Sequence, residues 1–195
     1  MDMFDGVGRR RDQSSGQLVS IGEHSLNGKE RKCLFRNNGD ATFTDVAFVN
    51  HADRIEDGRG VAMVDYDQDG QVDIVLRNYK QPAALLHNTG GTNHWLELKL
   101  IGTKSNRDAV GARVTVTAGG QKQMREVHAG SAYLSGSSLV QHFGLGEQTQ
   151  VDSMTVWWPS GAQTTLTDLT VDQHLILREG DARAVAVTSW RMPPA

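Results

Sequence analysis

Apolar and polar residues alternate in short runs along most of the chain, which is the pattern of β-strands that bury one face. In "HWLELKLIG" the side chains of Trp95 and Glu97 point one way, and those of Leu96, Leu98 and Leu100 point the other. The run "ARVTVTA" alternates in the same way. No stretch of ten or more residues repeats its apolar positions with the 3.6-residue period of a helix. The pattern predicts an all-β protein.

Gly, Asn and Asp residues separate the predicted strands and mark the turns between them. Gly119 and Gly120 lie between two such strands and predict a β-hairpin. Further along, Trp157 and Trp158 are neighbours in a predicted strand, so one side chain enters the core while the other points outward. An outward-facing tryptophan is a candidate contact residue for a partner.

The spacing of the strands divides the chain into two β regions. The segments "LFRNNGDATF" and "LLHNTGGTNHW" begin 51 residues apart, at Leu34 and Leu85, and share the order Leu-apolar-basic-Asn-x-Gly. A repeat of that length suits one four-stranded blade of a β-propeller, and the chain has room for about one blade. We therefore expect a partial propeller-blade-like repeat at 31–92, packed against a β-sandwich at 93–180.

Both ends of the chain are polar and lack a sustained pattern. Residues 1–30 contain Gly- and Ser-rich stretches and are predicted to form an extended N-terminal arm. Residues 181–195 are predicted to form a C-terminal tail that ends in "SWRMPPA". The apolar side chains of Trp190 and Met192 in that tail predict docking, either on the chain's own body or on a neighbouring protein.

The composition is that of an ordinary globular protein, with 38% hydrophobic and 22% charged residues among 195. The net charge of −3 argues against a nucleic-acid partner. No apolar run approaches the roughly 18 residues of a membrane span, and the first residues lack the apolar segment of a signal peptide. We therefore expect no membrane span. Cys33 is the only cysteine, which excludes an intrachain disulfide, and its strand-like flanks predict that it is buried.

The stretch "VDYDQDGQVD" at 64–73 gathers carboxylates that would repel one another without a cation. Their alternate spacing turns the side chains inward from a tight loop, and Gly70 supplies the backbone freedom for its bend. Hard oxygen ligands in a flexible ring select Ca²⁺ over Mg²⁺, which demands near-ideal octahedral geometry. The predicted ligands are the oxygen-bearing side chains of the loop: Asp65, Asp67, Asp69, Gln71 and Asp73.

The loop differs from an EF-hand in two ways. An EF-hand carries a glutamate at its twelfth position, where this chain has Leu76, and it is flanked by helices. Here both flanks are rich in valine and predict strands, so we expect a β-loop-β calcium site that Asp73 closes. A catalytic metal needs open coordination positions beside acid–base groups, whereas this loop is already rich in ligands. We predict a structural ion; the alternative is an acidic surface turn that binds none.

Two longer stretches resemble known families. "GRGVAMVDYDQDGQVDIVLRNY" is similar to the FG-GAP or VCBS-type repeat, the calcium-binding blade unit of integrin-like propellers. The part from Trp95 onward resembles the ASPIC/UnbV domain of the cartilage acidic protein-like family, through "SNRDAVGARV" at 105–114, "HFGLG" at 142–146 and "WPSG" at 158–161. The resemblance implies an exported protein of adhesion or binding, with no established reaction.

Signatures of catalysis are missing from the sequence. The seven histidines show neither the HxH nor the HExxH spacing of a zinc site, and "GSS" at 136–138 lacks the GxSxG elbow of a serine hydrolase. Each histidine is therefore interpreted as a half-buried strand residue. We predict that the protein is not an enzyme.

These observations together predict a non-catalytic, calcium-stabilised protein-interaction module. Because the repeat is cut to about one blade, leftover β edges and a polar arm suit an accessory subunit that binds protein partners in a large, membrane-bound complex. Calcium loops of the extracellular type fill only where the ion is abundant, which favours a periplasmic or extracellular location. The alternative is a carbohydrate- or surface-binding adhesion module, since β-sandwiches with tryptophan and calcium often bind sugars.

Overall fold

The computed structural model describes residues 9–11, 18–20, 30–133, 135–188 and 190. The regular structure of these residues consists of β-strands, and none of them forms a helix of the length and hydrophobicity needed to cross a membrane. The predicted all-β class is confirmed. In chain order the strands are β1 (Arg9–Arg11), β2 (Leu18–Ser20), β3 (Phe35–Asn37), β4 (Phe43–Asp45), β5 (Gly58–Val64), β6 (Asp73–Asn78), β7 (Ala84–Leu86), β8 (His94–Ile101), β9 (Arg113–Ala118), β10 (Gln121–Glu126), β11 (Gln141–Gly146), β12 (Gln150–Trp157), β13 (Gln163–Thr170), β14 (Gln173–Arg178) and β15 (Val185–Val187).

The described residues divide into two compact units. The first holds those up to Arg59 together with Arg77–Ala83, and the second holds Gly60–Leu76 together with those from Ala84 onward. The acidic loop at residues 65–73, which we call the cation loop, therefore belongs to the same unit as the strands from β8 onward.

Two four-stranded sheets of the second unit share one hydrophobic core. One sheet has the strand order β10-β9-β12-β13 and the other β11-β8-β14-β15, and the neighbours are antiparallel except for β8 and β14, which run parallel. The core side of the strands carries the alternating apolar residues, among them the fully buried Leu96, Leu98, Val114, Phe143 and Met154. The predicted β-sandwich is confirmed, and the period-two alternation explains which face of each strand is buried.

The turn and tryptophan predictions for the sandwich are also confirmed. Gly119 and Gly120 have φ values of +54° and +77° and join β9 to β10, because the tight hairpin turn needs positive φ at both positions. Trp158 is 3% exposed and lies in the core, while Trp157 is 36% exposed and points outward. The buried indole is satisfied, since its Nε1–H donates to Thr164 Oγ1 at 3.0 Å.

Glu179, which follows β14 and is 4% exposed, ties separate parts of the second unit together. Its Oε2 accepts the backbone N–H groups of Thr103, Lys104 and Ser105 at 2.7–2.8 Å, and its Oε1 accepts the hydroxyls of Ser105 and Ser160. Burial acts to raise the pKa of this carboxyl, but the hydrogen bonds from Ser105, Ser160, Thr103 and Lys104 outweigh it and lower the pKa to about 2. Glu179 is thus held as a buried carboxylate.

The cation loop is flanked by strands, as predicted. β5 ends at Val64, β6 begins at Asp73, and β5, β6 and β7 form a three-stranded sheet in that order. Within the second unit β6 pairs with β7 in antiparallel register. The assignment of this region to a propeller blade stays a prediction.

The first unit contains the antiparallel pair β3–β4, in which Phe35 lies opposite Asp45. All six residues of these two strands are exposed, so a strand-like pattern in this segment brings no burial. Cys33 lies just before β3, and its thiol is exposed. The predicted burial of Cys33 is therefore wrong, because the strand pair beside it buries none of its own residues. Large apolar side chains are exposed in the same unit, including Phe35 and Phe43 at 62% each and Phe48 at 78%.

The ends of the chain are only partly described. In the predicted N-terminal arm, β1 pairs antiparallel with β2, and residues 1–8, 12–17 and 21–29 lie outside the described residues. In the predicted C-terminal tail, β15 pairs with β14 as the edge of a sandwich sheet. Ser189 and residues 191–195, including Met192, lie outside the described residues.

Candidate metal centre

The cation loop brings three of its carboxylates together. Asp65 is 8% exposed and Asp73 is fully buried, while Asp67 and Asp69 are exposed. One carboxylate oxygen from each of Asp65, Asp67 and Asp73 lies within 4.8 Å of the other two. Oxygens that share one Ca²⁺ are at most about 5 Å apart, because each binds at about 2.3–2.6 Å. Three of the five predicted ligand residues therefore converge as a calcium ion requires.

The other two predicted ligands lie at the margin of this group. Asp69 forms a second, exposed group with Asp67 and His87, whose ligating atoms are also within 4.8 Å of one another. In that group His87 Nε2 lies 3.1 Å from Asp67 Oδ2. The Gln71 side chain lies against Gly90. That Asp69 and Gln71 act as ligands stays a prediction.

The two buried carboxylates shape the loop through its backbone. Asp65 and Asp73 each accept two backbone N–H groups, one on each oxygen, at 2.8–3.1 Å. Burial raises the pKa of Asp65, against the lowering effect of the N–H groups that it accepts. A carboxylate oxygen has two lone pairs, so each oxygen that accepts one N–H retains capacity for an ion. The four donors belong to Tyr66, Asp69, Gly70 and Asn88.

The charges of the loop fit a divalent cation. No lysine or arginine of the described part of the chain forms an ion pair with Asp65 or Asp73, although both carboxylates are buried. Burying unpaired negative charge is costly, and a cation bound among the carboxylates would remove that cost. The loop offers oxygen atoms and no thiol, which favours Ca²⁺ over softer metals. The residues present therefore fit the predicted ion, which would supply charge compensation.

Behind the loop, one sheet of the sandwich turns a row of polar side chains away from the core. Glu97 of β8 lies opposite His142 of β11 and His174 of β14, so that these three residues form a row across three strands. Glu97 is 3% and His174 is 7% exposed. With Trp95, two residues before Glu97 on the same side of β8, they form what we call the outer face.

The cation loop is bound to the outer face by its backbone. His142 Nε2 lies 2.9 Å from the carbonyl oxygen of Gly70, which can only accept, so this nitrogen carries the proton and donates. His174 Nε2 lies 3.4 Å from the carbonyl oxygen of Gln68. Gly70 packs directly on the indole of Trp95, where a Cβ atom would lie 1.8 Å from Cε2. The loop is therefore preformed by the sandwich as well as by its own aspartates.

Trp190 joins this arrangement from the C-terminal segment. Its indole Nε1–H donates to Glu97 Oε2 at 3.0 Å, and its backbone N–H donates to Gln68 Oε1 at 3.0 Å. His174 Nδ1 lies 2.9 Å from the same oxygen of Glu97. Burial raises the pKa of Glu97, against the lowering effect of the hydrogen bonds from His174 and Trp190. The sequence predicts that Trp190 docks either on the chain's own body or on a neighbouring protein. In the structure it docks on the chain itself.

The sequence does not indicate that the residues of the outer face belong to the site. The spacing of the histidines predicts only half-buried strand residues, and nothing in it indicates that His142 and His174 bind the loop. One local signal was present. The alternation of β8 places the large side chains of Trp95 and Glu97 on the side away from the core, which indicates that another segment packs on them. It does not indicate which segment that is.

The fold and the loop define a class of protein, an all-β sandwich with an acidic loop docked on the outer side of one sheet. Residues 102–184 match the family described as "ASPIC and UnbV". The predicted ASPIC/UnbV domain is thus confirmed over these residues, while the FG-GAP or VCBS-type repeat stays a prediction.

The chain is also similar to curated proteins named "Cartilage acidic protein 1". The protein of Xenopus tropicalis is 36% identical over 121 residues, which cover 58% of this chain and 18% of that protein. The protein of Mus musculus is 31% identical over 137 residues, covering 66% and 21%, and that of Homo sapiens is 35% identical over 121 residues, covering 58% and 18%. The chain thus spans about a fifth of the length of the curated relatives that it matches.

Proposed function

We propose that the protein is a non-catalytic, calcium-stabilised protein-interaction module that acts as an accessory subunit of a larger extracytoplasmic assembly. The observation that carries the calcium part is the convergence of the Asp65, Asp67 and Asp73 carboxylates, of which the two buried ones have no lysine or arginine partner in the described part of the chain. In this proposal these three residues hold the ion, and Asp69 and Gln71 complete its shell. The loop and its flanking strands would then be an FG-GAP or VCBS-type repeat.

Exposed apolar side chains support the interaction part of the proposal. In the first unit Phe35, Phe43, Phe48 and Val49 are 62–78% exposed, a concentration of large apolar groups that suits contact with another protein. In this proposal these side chains lie in an interface with a protein partner. That partner would belong to a membrane-bound complex. A periplasmic or extracellular location follows from the calcium site, because such loops fill where calcium is abundant.

A carbohydrate- or surface-binding role is the second candidate, and one observation favours it. An open cleft of about 410 Å³ in the second unit is lined partly by polar side chains, including Glu126, His128, Ser131 and Ser137. Polar groups that converge in a groove suit the hydroxyls of a sugar. The exposed ring of Trp157, at 36%, offers an aromatic surface elsewhere on the sandwich.

Calcium is expected to stabilise the protein by about 2.7 kcal/mol when its concentration is one hundred times Kd, because it binds the folded loop only. Thermal and denaturant unfolding with calcium or with a chelator measures this difference. Asp67→Asn is expected to abolish most of it while leaving the calcium-free protein folded, since Asp67 is exposed and, unlike Asp65, accepts no backbone N–H from the residues that the structure describes.

Asp152→Asn is the matched control, because Asp152 is also an exposed aspartate but lies on β12 of the sandwich. It should leave the calcium response unchanged. Equal calcium responses in wild type and Asp67→Asn, measured by titration calorimetry as well as by unfolding, would show that the ion does not bind in this loop.

The accessory-subunit role is tested by gentle purification from the native source with and without a chelator. We expect a defined complex that retains this protein in calcium and loses it in chelator. Elution of the protein alone in both conditions would contradict the role, and binding to a glycan array would then be measured for the second candidate.

A further inference from the structure

Trp190 bridges the cation loop and the outer face of the sandwich. Its backbone N–H reaches the cation loop at Gln68 Oε1, and its indole N–H reaches the outer face at Glu97 Oε2, both at 3.0 Å. Its ring stands edge-on to that of His174, with centroids 5.1 Å apart. We call this set the clasp: Gln68, Glu97, His174 and Trp190. None of its members is among the predicted calcium ligands.

Gln68 is the residue through which the clasp acts on the loop. It lies between the ligand Asp67 and the neighbouring Asp69, and its φ of +64° is in the left-handed region that side-chain-bearing residues rarely adopt. Its side-chain oxygen is bound by Trp190, and its carbonyl oxygen faces His174 Nε2 at 3.4 Å. Because the Gln68 side chain and the peptide group that joins Gln68 to Asp69 both have partners, the backbone between Asp67 and Asp69 is restrained as well.

We propose that Gln68 and Trp190 are positioning residues that set the calcium affinity of the loop. Docking of Trp190 and binding of the ion favour the same loop conformation, so each strengthens the other by the same factor. The inference rests on the proposed calcium function and goes beyond it by naming side chains that touch no ion and still control its binding. A full clasp presents the ligands preorganised, and preorganisation lowers the cost of binding.

Two variants separate the clasp from the ligands. Trp190→Phe keeps the aromatic ring and the backbone N–H but removes the indole donor to Glu97, and Gln68→Met keeps the side-chain length but removes the acceptor for Trp190. Each is expected to weaken calcium binding about 5- to 50-fold, within the usual range of coupling between sites. Gln68→Glu, which restores an acceptor oxygen, should recover most of the affinity. Trp157→Phe is the matched control, because Trp157 is an exposed tryptophan of the sandwich.

Calcium affinity is measured by titration calorimetry on the full chain, and the position of Trp190 by ¹⁹F NMR of protein labelled with 5-fluorotryptophan. The Trp190 signal is the one that disappears in Trp190→Phe. We expect calcium to shift this signal in wild type, and to shift it less in Gln68→Met. The melting temperature of each calcium-free variant shows whether its effect is confined to the ion.

The outcomes distinguish the coupling from the calcium site itself. Wild-type affinity in both clasp variants, with a Trp190 signal that calcium does not move, would overturn the coupling and leave the calcium proposal standing. Variants that destabilise the calcium-free and calcium-loaded protein equally would also overturn it, because the clasp would then be merely structural. If wild type itself takes up no calcium, the proposed function fails and the coupling fails with it.

Discussion

Replacing Gly70 with alanine is expected to lower the free energy of unfolding by about 2–5 kcal/mol, by combining backbone strain with overpacking. Gly70 has a φ of +87°, and an added Cβ would lie 1.8 Å from Cε2 of Trp95. The indole is a rigid ring, so at this distance either the loop or the whole ring must shift. Denaturant unfolding of wild type and variant at neutral pH measures the loss. Calcium affinity should fall with it, because Gly70 N–H also donates to Asp65.

Gly161→Ala separates the two contributions. Gly161 has nearly the same φ, +89°, but no atom lies within 4 Å of its added Cβ. This variant should therefore show the backbone cost alone, about 1–2 kcal/mol, with no change in calcium affinity. Equal losses of stability in the two alanine variants would show that Gly70 does not pack on Trp95. The conclusion that the sandwich preforms the cation loop would then be wrong.

Replacing Glu179 with glutamine is expected to lower the melting temperature at pH 7 by more than about 5 °C. One carboxylate oxygen accepts three backbone N–H groups and the other accepts two hydroxyls. An amide supplies one oxygen and one NH₂ group. Its oxygen can face the three backbone N–H groups only if its NH₂ group faces the two serine hydroxyls, which must then turn to accept, and the negative charge that strengthens all five hydrogen bonds is lost. Ser105 and Ser160 would then lose the anchor that they share, and the loop that contains Thr103 and Lys104 would lose its partner.

The same residue predicts a window of acid sensitivity. The pKa of Glu179 is about 2 in the folded protein, below its ordinary value of 4.5, so folding favours the ionised form. Its contribution to stability is complete above about pH 4.5 and is lost as the pH falls through the window toward about 2. The difference in unfolding free energy between wild type and Glu179→Gln should therefore shrink between those two values.

Glu147→Gln is the control for this window, because Glu147 is exposed and none of the described residues hydrogen-bonds to its side chain. It should follow the wild-type pH dependence. A Glu179→Gln protein whose deficit stayed constant from pH 5 to about 2.5 would show that the carboxylate is not selectively bound in its ionised form.

The residues of the proposed calcium site and those of the proposed partner interface belong to different units. The cation loop is built into the second unit, against the outer face of the sandwich, whereas the most exposed phenylalanine side chains lie in the first unit. Phe48→Ser should therefore weaken retention in the native complex during gentle purification while leaving the calcium affinity measured by titration calorimetry unchanged.

Much of the architecture could be predicted because it depends on local patterns. Alternation alone places Leu96 and Leu98 in the core and Glu97 outside it, since neighbouring side chains of a strand leave on opposite faces. The paired glycines at 119 and 120 predicted their hairpin for a similarly local reason. The convergence of Asp65 and Asp67 also follows from spacing within one loop.

The sequence by itself determined the all-β class, the inward and outward faces of the strands, and the acidic loop with its candidate ligands. Only the tertiary structure decided that Gly70 packs on Trp95, that His142 and His174 bind the loop backbone, and that Glu179 joins two distant loops. It also decided that Cys33 is exposed. The physical reason is that these contacts join residues far apart in the chain, so they depend on the register and packing of whole sheets, which no local pattern of apolar and polar positions encodes.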